Sequence, residues 1–217
     1  MTEPVAFDVF FAESSPRVLA RALVLAANRH DAEDAVQDAY AEALRRWDRI
    51  GRYDAPEAWL HLVVRQRLWR ASARWRRQTS LTTLELDAWR ATSGDPEQAV
   101  LVGGVLAAVA ALPRRQRTML VMHCLQGMKQ HEIADELRVR PNTVAASIFK
   151  ARHALRRSLD ALVETGPGLE HLFPQLALTA EDPIATVLDA AGAWLAGQIA
   201  AHGPGLDRLR RNVLVRR

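Results

Sequence analysis

Apolar residues recur at helical spacing along nearly the whole chain, and no stretch alternates convincingly at period two, so the chain is predicted to be all-α. Phe7 to Arg29 carries Phe7, Phe10, Phe11, Val18, Leu19, Ala22, Leu23 and Ala26 as one broad stripe. Asp31 is placed to cap a second helix reaching about Trp47, with Ala35, Val36, Ala39, Ala43 and Leu44 inward and the carboxylates outward. Pro56 suits the first turn of a third helix, because its missing N–H would have had no partner there. That helix runs to about Arg77 and is predicted to bury Trp59, Leu62, Val63 and Trp69. From Gln78 to Pro96 the periodicity fails in a Thr- and Ser-rich stretch that closes on Gly94-Asp95-Pro96, the composition of a flexible linker.

A second helical unit follows, from Glu97 to about Leu162. Inside it, Ile133 and Leu137 share one face of a short helix, and Ala134 lets a neighbour approach closely. Arg138-Val139-Arg140 then interrupts the pattern, and Pro141 opens a helix with Val144, Ile148, Ala151 and Leu155 inward. A three-residue break between two such helices is the helix-turn-helix arrangement. The outward face of the second helix offers Asn142, Thr143, Ala146, Ser147, Lys150 and His153, the kinds of side chain that reach base edges and phosphates. A plain helical hairpin within a bundle would show the same apolar spacing, but is rarely flanked by so many cations.

The formal net charge of the 217 residues is only +4, yet the charges are clustered. Arg65 to Arg77 holds six arginines and no acid, Arg138 to Arg157 six basic residues and no acid, and Asp31 to Glu42 five acids and no lysine or arginine. Two of these segments suit a polyanion and the third a basic protein surface. The single cysteine, Cys124, excludes an internal disulfide and any multi-cysteine zinc site, and its apolar surroundings predict a core thiol. The N-terminus lacks the pattern of a secretory signal. The longest smooth apolar run, Ala99 to Leu112, is about fourteen residues and too short to span a bilayer, so a cytoplasmic protein without membrane insertion is expected.

After Gly166-Pro167-Gly168, Asp182 and Pro183 can start another helix with Ile184, Val187, Leu188, Ala191, Trp194, Leu195 and Ile199 on one face. Gly203-Pro204-Gly205 ends it, and Asp207 to Arg217 forms a short basic amphipathic tail. Such an apolar face must be covered by something. A stabilising appendage and a regulatory segment both fit.

Leu112-Pro113 with Arg117, Gln126-Gly127, Glu132-Ile133-Ala134, Asn142-Thr143-Val144 and Ala151-Arg152 together resemble the C-terminal domain of the extracytoplasmic-function (ECF) sigma factors of bacterial RNA polymerase. Asp31-Ala32-Glu33-Asp34 with Gln37, Trp59-Leu60 and Arg74-Trp75-Arg76-Arg77 are similar, in the same order, to the N-terminal domain of that family. The resemblance covers about residues 7 to 160 and implies a sigma-2-like domain over 1–78, a linker over 79–96, a sigma-4-like helix-turn-helix domain over 97–162 and a helical extension of unknown role over 163–217.

What the resemblance implies about function is an alternative sigma factor that binds core polymerase and directs promoter-specific initiation. Its −10 surface would be Arg65, Arg67, Arg70, Arg74, Trp75, Arg76 and Arg77, where cations follow the phosphates and an aromatic ring stacks on a melted base. The −35 duplex would be met by Arg140, Asn142, Thr143, Ser147, Lys150 and Arg152. Core docking would use Asp31, Asp34, Gln37 and Asp38 on the clamp coiled coil, with a second contact to the flap. An anti-sigma factor is a further partner the family commonly has. No cofactor, metal, catalytic residue or small-molecule substrate is implied, because the phosphodiester chemistry belongs to the polymerase.

The chain departs from the family at Gln66, where asparagine is usual, at Arg138, where a small residue or glycine is usual, and at Ala145, Ala146 and Ser147, where polar or basic residues are common. Direct base readout is therefore expected to be sparse and to lean on duplex shape. A helix-turn-helix regulator that never joins polymerase would leave the acidic and the tryptophan–arginine helices without a role. A metal-dependent enzyme using Asp31, Asp34 and Asp38 would need a second acidic cluster on a facing helix, and Glu85, Asp87, Glu132, Asp135 and Glu136 supply none at matching spacing.

Overall fold

The computed structural model describes residues 6–26, 29–74, 96–165, 182–202 and 204–215. Among the described residues all regular structure is helical. In chain order the helices are α1 (Phe7–Ala26), α2 (Arg29–Arg45), α3 (Trp47–Ile50), α4 (Pro56–Arg74), α5 (Pro96–Ala111), α6 (Arg114–Cys124), α7 (Gln130–Leu137), α8 (Pro141–Thr165), α9 (Pro183–His202) and α10 (Pro204–Val215). The expected linker falls outside the described residues. The chain divides into two units, one of Met1–Thr79 with Leu195–Arg217 and one of Ser80–Trp194, so the boundary falls within α9.

In the first unit α1, α2 and α4 pack on one another in all three pairings. The predicted stripe of α1 is buried at Phe11, Val18, Leu19, Ala22 and Leu23. Phe7 and Phe10 instead stay half-exposed and stack near Trp47, with ring centroids 5.2 and 4.8 Å away. Tyr40, fully buried on α2, is tied to Ser14 Oγ at 2.8 Å, and burial pushes its phenol well above the ordinary range. The unpaired hydroxyl hydrogen such a tyrosine would otherwise hide in the core is thereby satisfied.

Two expectations for this unit are corrected. α2 starts at Arg29, so Asp31 sits in its first turn and is not its cap; the acid still faces the positive end of the helix dipole. On α4 the buried residues are Leu60, Val64 and Leu68, at 0, 3 and 7% exposure, whereas Trp59, Leu62 and Val63 are only partly covered. With apolar residues at 59, 60, 62, 63 and 64, two overlapping stripes fit the helical period. Packing against α1 and α2 selects the one that also points His61 and Arg65 inward.

His61 belongs to a polar cluster between α1 and α4. Arg17 holds Glu57 through Nη2 to Oε2 at 2.7 Å, and His61 Nε2 lies 3.4 Å from Glu57 Oε1 and 3.1 Å from Arg21 Nη1. With a proton on Nε2 the ring donates to the carboxylate; without it the nitrogen accepts from Arg21. Burial raises the Glu57 carboxyl, but the hydrogen bonds from His61 and Arg17 outweigh it and bring the pKa down to about 2.

α10 closes the first unit by packing on α2. Leu209 and Val213, one turn apart, are 3 and 1% exposed. Covering two such side chains contributes at most about 1.5–3 kcal/mol each.

In the second unit α8 is the central helix, packed against α5, α6 and α7. Gly104 on α5 allows the close approach of α8, since a Cβ there would stand 2.8 Å from Leu162 Cδ1. Arg117, whose guanidinium burial holds below its usual pKa, donates through Nη1 to the carbonyl of Ala110 at 2.9 Å and so ties α6 to the end of α5. Cys124 at the end of α6 is partly covered, and burial pushes its thiol up, as an inert thiol requires.

α9 buries Ile184, Val187, Leu188, Ala191, Leu195, Ala196 and Ile199. Its stretch Pro183–Ala201, with mean hydropathy 1.3, is also long and apolar enough by composition to cross a membrane. Asp189 and Gln198 interrupt the run in sequence, which is why Ala99 to Leu112 reads there as the longest. Ile184, Val187, Leu188, Leu195 and Ile199 of α9 are turned inward, whereas Trp194 is only partly covered.

Candidate nucleic-acid and polymerase interface

The turn between α7 and α8 is set by one backbone choice. Arg138 takes the left-handed conformation, φ 54° and ψ 48°, as its expected turn position demands. Its N–H reaches the carbonyl of Asp135 at 3.2 Å, and the N–H of Val139 reaches that of Ala134 at 2.9 Å, which closes α7 in a Schellman arrangement. At the other end of α7 the Glu132 carboxylate accepts from the Lys129 N–H at 2.6 Å. Arg140 immediately precedes α8, its carbonyl accepting from the N–H of Thr143 at 2.9 Å. A short, doubly fixed α7 thus aims the first turns of α8.

Val144, Ile148, Ala151, Leu155 and Leu159 are buried on α8, with Ile133 and Ala134 of α7 also in the core. Arg140, Asn142, Thr143 and Lys150 are exposed and Ser147 is half-exposed. Thr143, Ser147 and Lys150 follow at i, i+4 and i+7, so they line one face. Phe149 is 71% exposed, an apolar ring among these polar groups.

Arg152 stands apart from that set. Two positions after Lys150 it lies more than half a turn away, and its guanidinium pairs with Asp182. Asp182 in turn caps α9, accepting the N–H of Ala185 at 3.2 Å. The partner is thirty residues distant in sequence, beyond any local pattern.

In the first unit Asp34 is the most open of the acids on α2, 58% exposed at the side chain and 3.4 Å from His30 Nε2. Asp31 and Asp38 are partly covered. Asp38 Oδ2 meets Arg67 Nη1 at 3.0 Å and Glu42 Oε2 meets Arg67 Nη2 at 2.7 Å. The acidic and basic segments that composition sets apart are therefore joined through Arg67. Gln37 is 7% exposed and accepts from Asn212 Nδ2 of α10 at 3.4 Å. Arg65 is 6% exposed, so its side chain lies within the unit. Arg70 and Arg74 continue along α4, while Trp75, Arg76 and Arg77 lie outside the described residues.

What Asp38 faces on α4 is a guanidinium and not the second carboxylate that a metal centre there would need. Sequence reasoning placed Asp182 at the start of α9 but missed its pairing with Arg152, along with Asn212 and the paired role of Arg67. All three act across long sequence separations, and only the amphipathic pattern of Asp207 to Arg217 hinted at one of them.

Residues 10–81 match the family Sigma-70 region 2, and residues 104–155 match Sigma-70, region 4. The two matches cover more than half of the chain, and they coincide with the acidic–basic helical bundle and with the helix-turn-helix. The chain belongs to the sigma-70 family, in the two-domain ECF arrangement. It is an alternative sigma factor, a transcription initiation factor that joins core RNA polymerase and directs it to promoter DNA. The regulator that never joins polymerase is not favoured, because region 2 would then be without a function.

Proposed function

We propose that the two units divide the promoter between them. α8 lies in the −35 major groove through Arg140, Asn142, Thr143, Ser147 and Lys150, and Arg70 and Arg74 of α4, together with Trp75, Arg76 and Arg77 that follow in sequence, capture the melted −10 strand. The observation that carries this reading is the division of α8 into a buried apolar side and an exposed polar start. Asn142 is suited to adenine, Arg140 and Lys150 to phosphate or guanine, and the exposed Ala146 and Phe149 to thymine methyl groups. Arg152 and Arg65 support these surfaces from behind, the first by its pair with Asp182 and the second by its burial.

Core docking falls to the α2 face of Asp31, Asp34, Gln37 and Asp38, presented to the basic clamp coiled coil, with the second unit on the flap. The chain holds no cofactor and performs no chemistry of its own. Metal ions and phosphodiester bond formation are the polymerase's. It acts in the cytoplasm, and an anti-sigma factor restrains it.

Titration of labelled promoter duplex with the protein in complex with core polymerase tests the assignment on α8. Asn142→Ala is expected to cost about 1–3 kcal/mol on the cognate −35 element and to relax specificity at one base pair. Lys150→Ala should weaken all sequences alike and lower the slope of log K against log salt by about one. Equal loss on cognate and scrambled −35 elements for Asn142→Ala would remove it from base reading.

A further inference from the structure

α2 is buried on two opposite sides, and only one of them is the core of the α1–α2–α4 bundle. Ala32, Val36, Ala39 and Ala43 are all 0% exposed and form the core side. Ala41 lies about two and a half turns beyond Ala32, hence on the far side of the helix, yet it is 3% exposed. Gln37, one turn before Ala41 on that same side, is 7% exposed. The element seated there is α10, whose Asn212 bonds Gln37 and whose Leu209 and Val213 are buried.

We propose that α10 is an internal occupant of the polymerase-docking face of α2, and that it must leave before the core enzyme can bind. The inference rests on the docking reading above, since Gln37 belongs to that face and is covered by α10. Charge fits the occupant to the site. The segment Asp31 to Glu42 carries five acids, while α10 carries Arg208, Arg210 and Arg211. Arg210 reaches Asp8 of α1 at 3.4 Å. A basic helix is also the chemistry the clamp coiled coil offers to this acidic helix, and Gln37, which Asn212 of α10 already holds, is the docking residue for which the two compete.

The grip of α10 is suited to release. Among the described residues it rests on two apolar anchors, one long amide hydrogen bond and one exposed ion pair, and the last two contribute little. Closure therefore lowers the apparent affinity for core polymerase in proportion to the closed fraction and leaves the open state fully competent.

The test measures the Kd of the full-length protein for purified bacterial core polymerase, by competition against a labelled sigma factor, beside two variants. Leu209→Asp/Val213→Asp, which expels α10, is expected to lower Kd by roughly tenfold or more. Asp34→Arg is expected to raise it. If Asp34→Arg weakens binding while the α10 variant matches wild type, the occupancy is wrong and the docking reading stands. If Asp34→Arg binds like wild type, the docking reading falls and takes this inference with it. A second arm is independent of how well the charged variant folds. Gln37→Cys/Asn212→Cys in a Cys124→Ser background, joined by a short bismaleimide, should lose core binding relative to the same protein before cross-linking. Unchanged binding after cross-linking would overturn the inference.

Discussion

The faces of α2 and α8 are built to opposite ends. On α8 the apolar side is buried and the polar start is left open, as a helix that enters a groove requires. On α2 the core side and the far side are both covered, and polar groups around it are answered from within the unit, Asp38 and Glu42 by Arg67 and Gln37 by Asn212. A DNA-reading face needs a rigid backing and nothing in front of it. A protein-docking face that already has an occupant adds a condition to binding, and on the reading proposed above α10 sets that condition.

The contrast depends first on the α4 register, which decides which charges face α2. Leu60→Ala is expected to destabilise the first unit by about 2–5 kcal/mol, and Leu62→Ala by under about 1.5 kcal/mol. Urea unfolding followed by circular dichroism should separate the two; equal losses would restore the stripe of Trp59, Leu62 and Val63. On the second unit the aim of α8 depends on a left-handed arginine. Arg138→Gly should raise the stability of that unit by about 1 kcal/mol without loss of −35 binding, because glycine takes φ 54° without a Cβ clash. A lower melting temperature would show that Arg138 makes a contact worth more than its strain.

A pH dependence confined to the first unit completes the set. Glu57 has a folded pKa of about 2 against an ordinary 4.5, so its contribution to stability is present above about 4.5 and is lost as pH falls toward 2. Glu57→Gln should flatten the acid limb of the stability curve over that window and leave the second unit's acid limb unchanged. An unchanged acid limb in the variant would mean that Arg17 and His61 do not hold the carboxylate as described.

Much of this organisation is legible in the sequence. Pro56, Pro141 and Pro183 mark helix starts, the Arg138 turn is visible as a three-residue break, and the α8 stripe is unambiguous at Val144, Ile148, Ala151 and Leu155. What sequence reasoning misplaced has two causes. Where apolar residues surround a helix, as between Trp59 and Val64, periodicity cannot choose the face and tertiary packing does. Where a polar residue is answered from far away, as Arg152 by Asp182 or Gln37 by Asn212, the sequence shows its type and position but not its partner. Both of those partners come from the C-terminal extension, the one segment that the family resemblance left without a role.

The most direct measurement of the central claim is run-off transcription with purified bacterial core polymerase on this protein's own upstream region and a small promoter panel. Asp34→Arg and Arg74→Glu/Arg76→Glu are run beside the wild type. The account predicts a specific transcript from the wild type, increased by Leu209→Asp/Val213→Asp and lost in both charge reversals. Transcripts of equal strength from the charge-reversed proteins would contradict it, because neither α2 nor the basic end of α4 would then be the surface that joins polymerase to promoter.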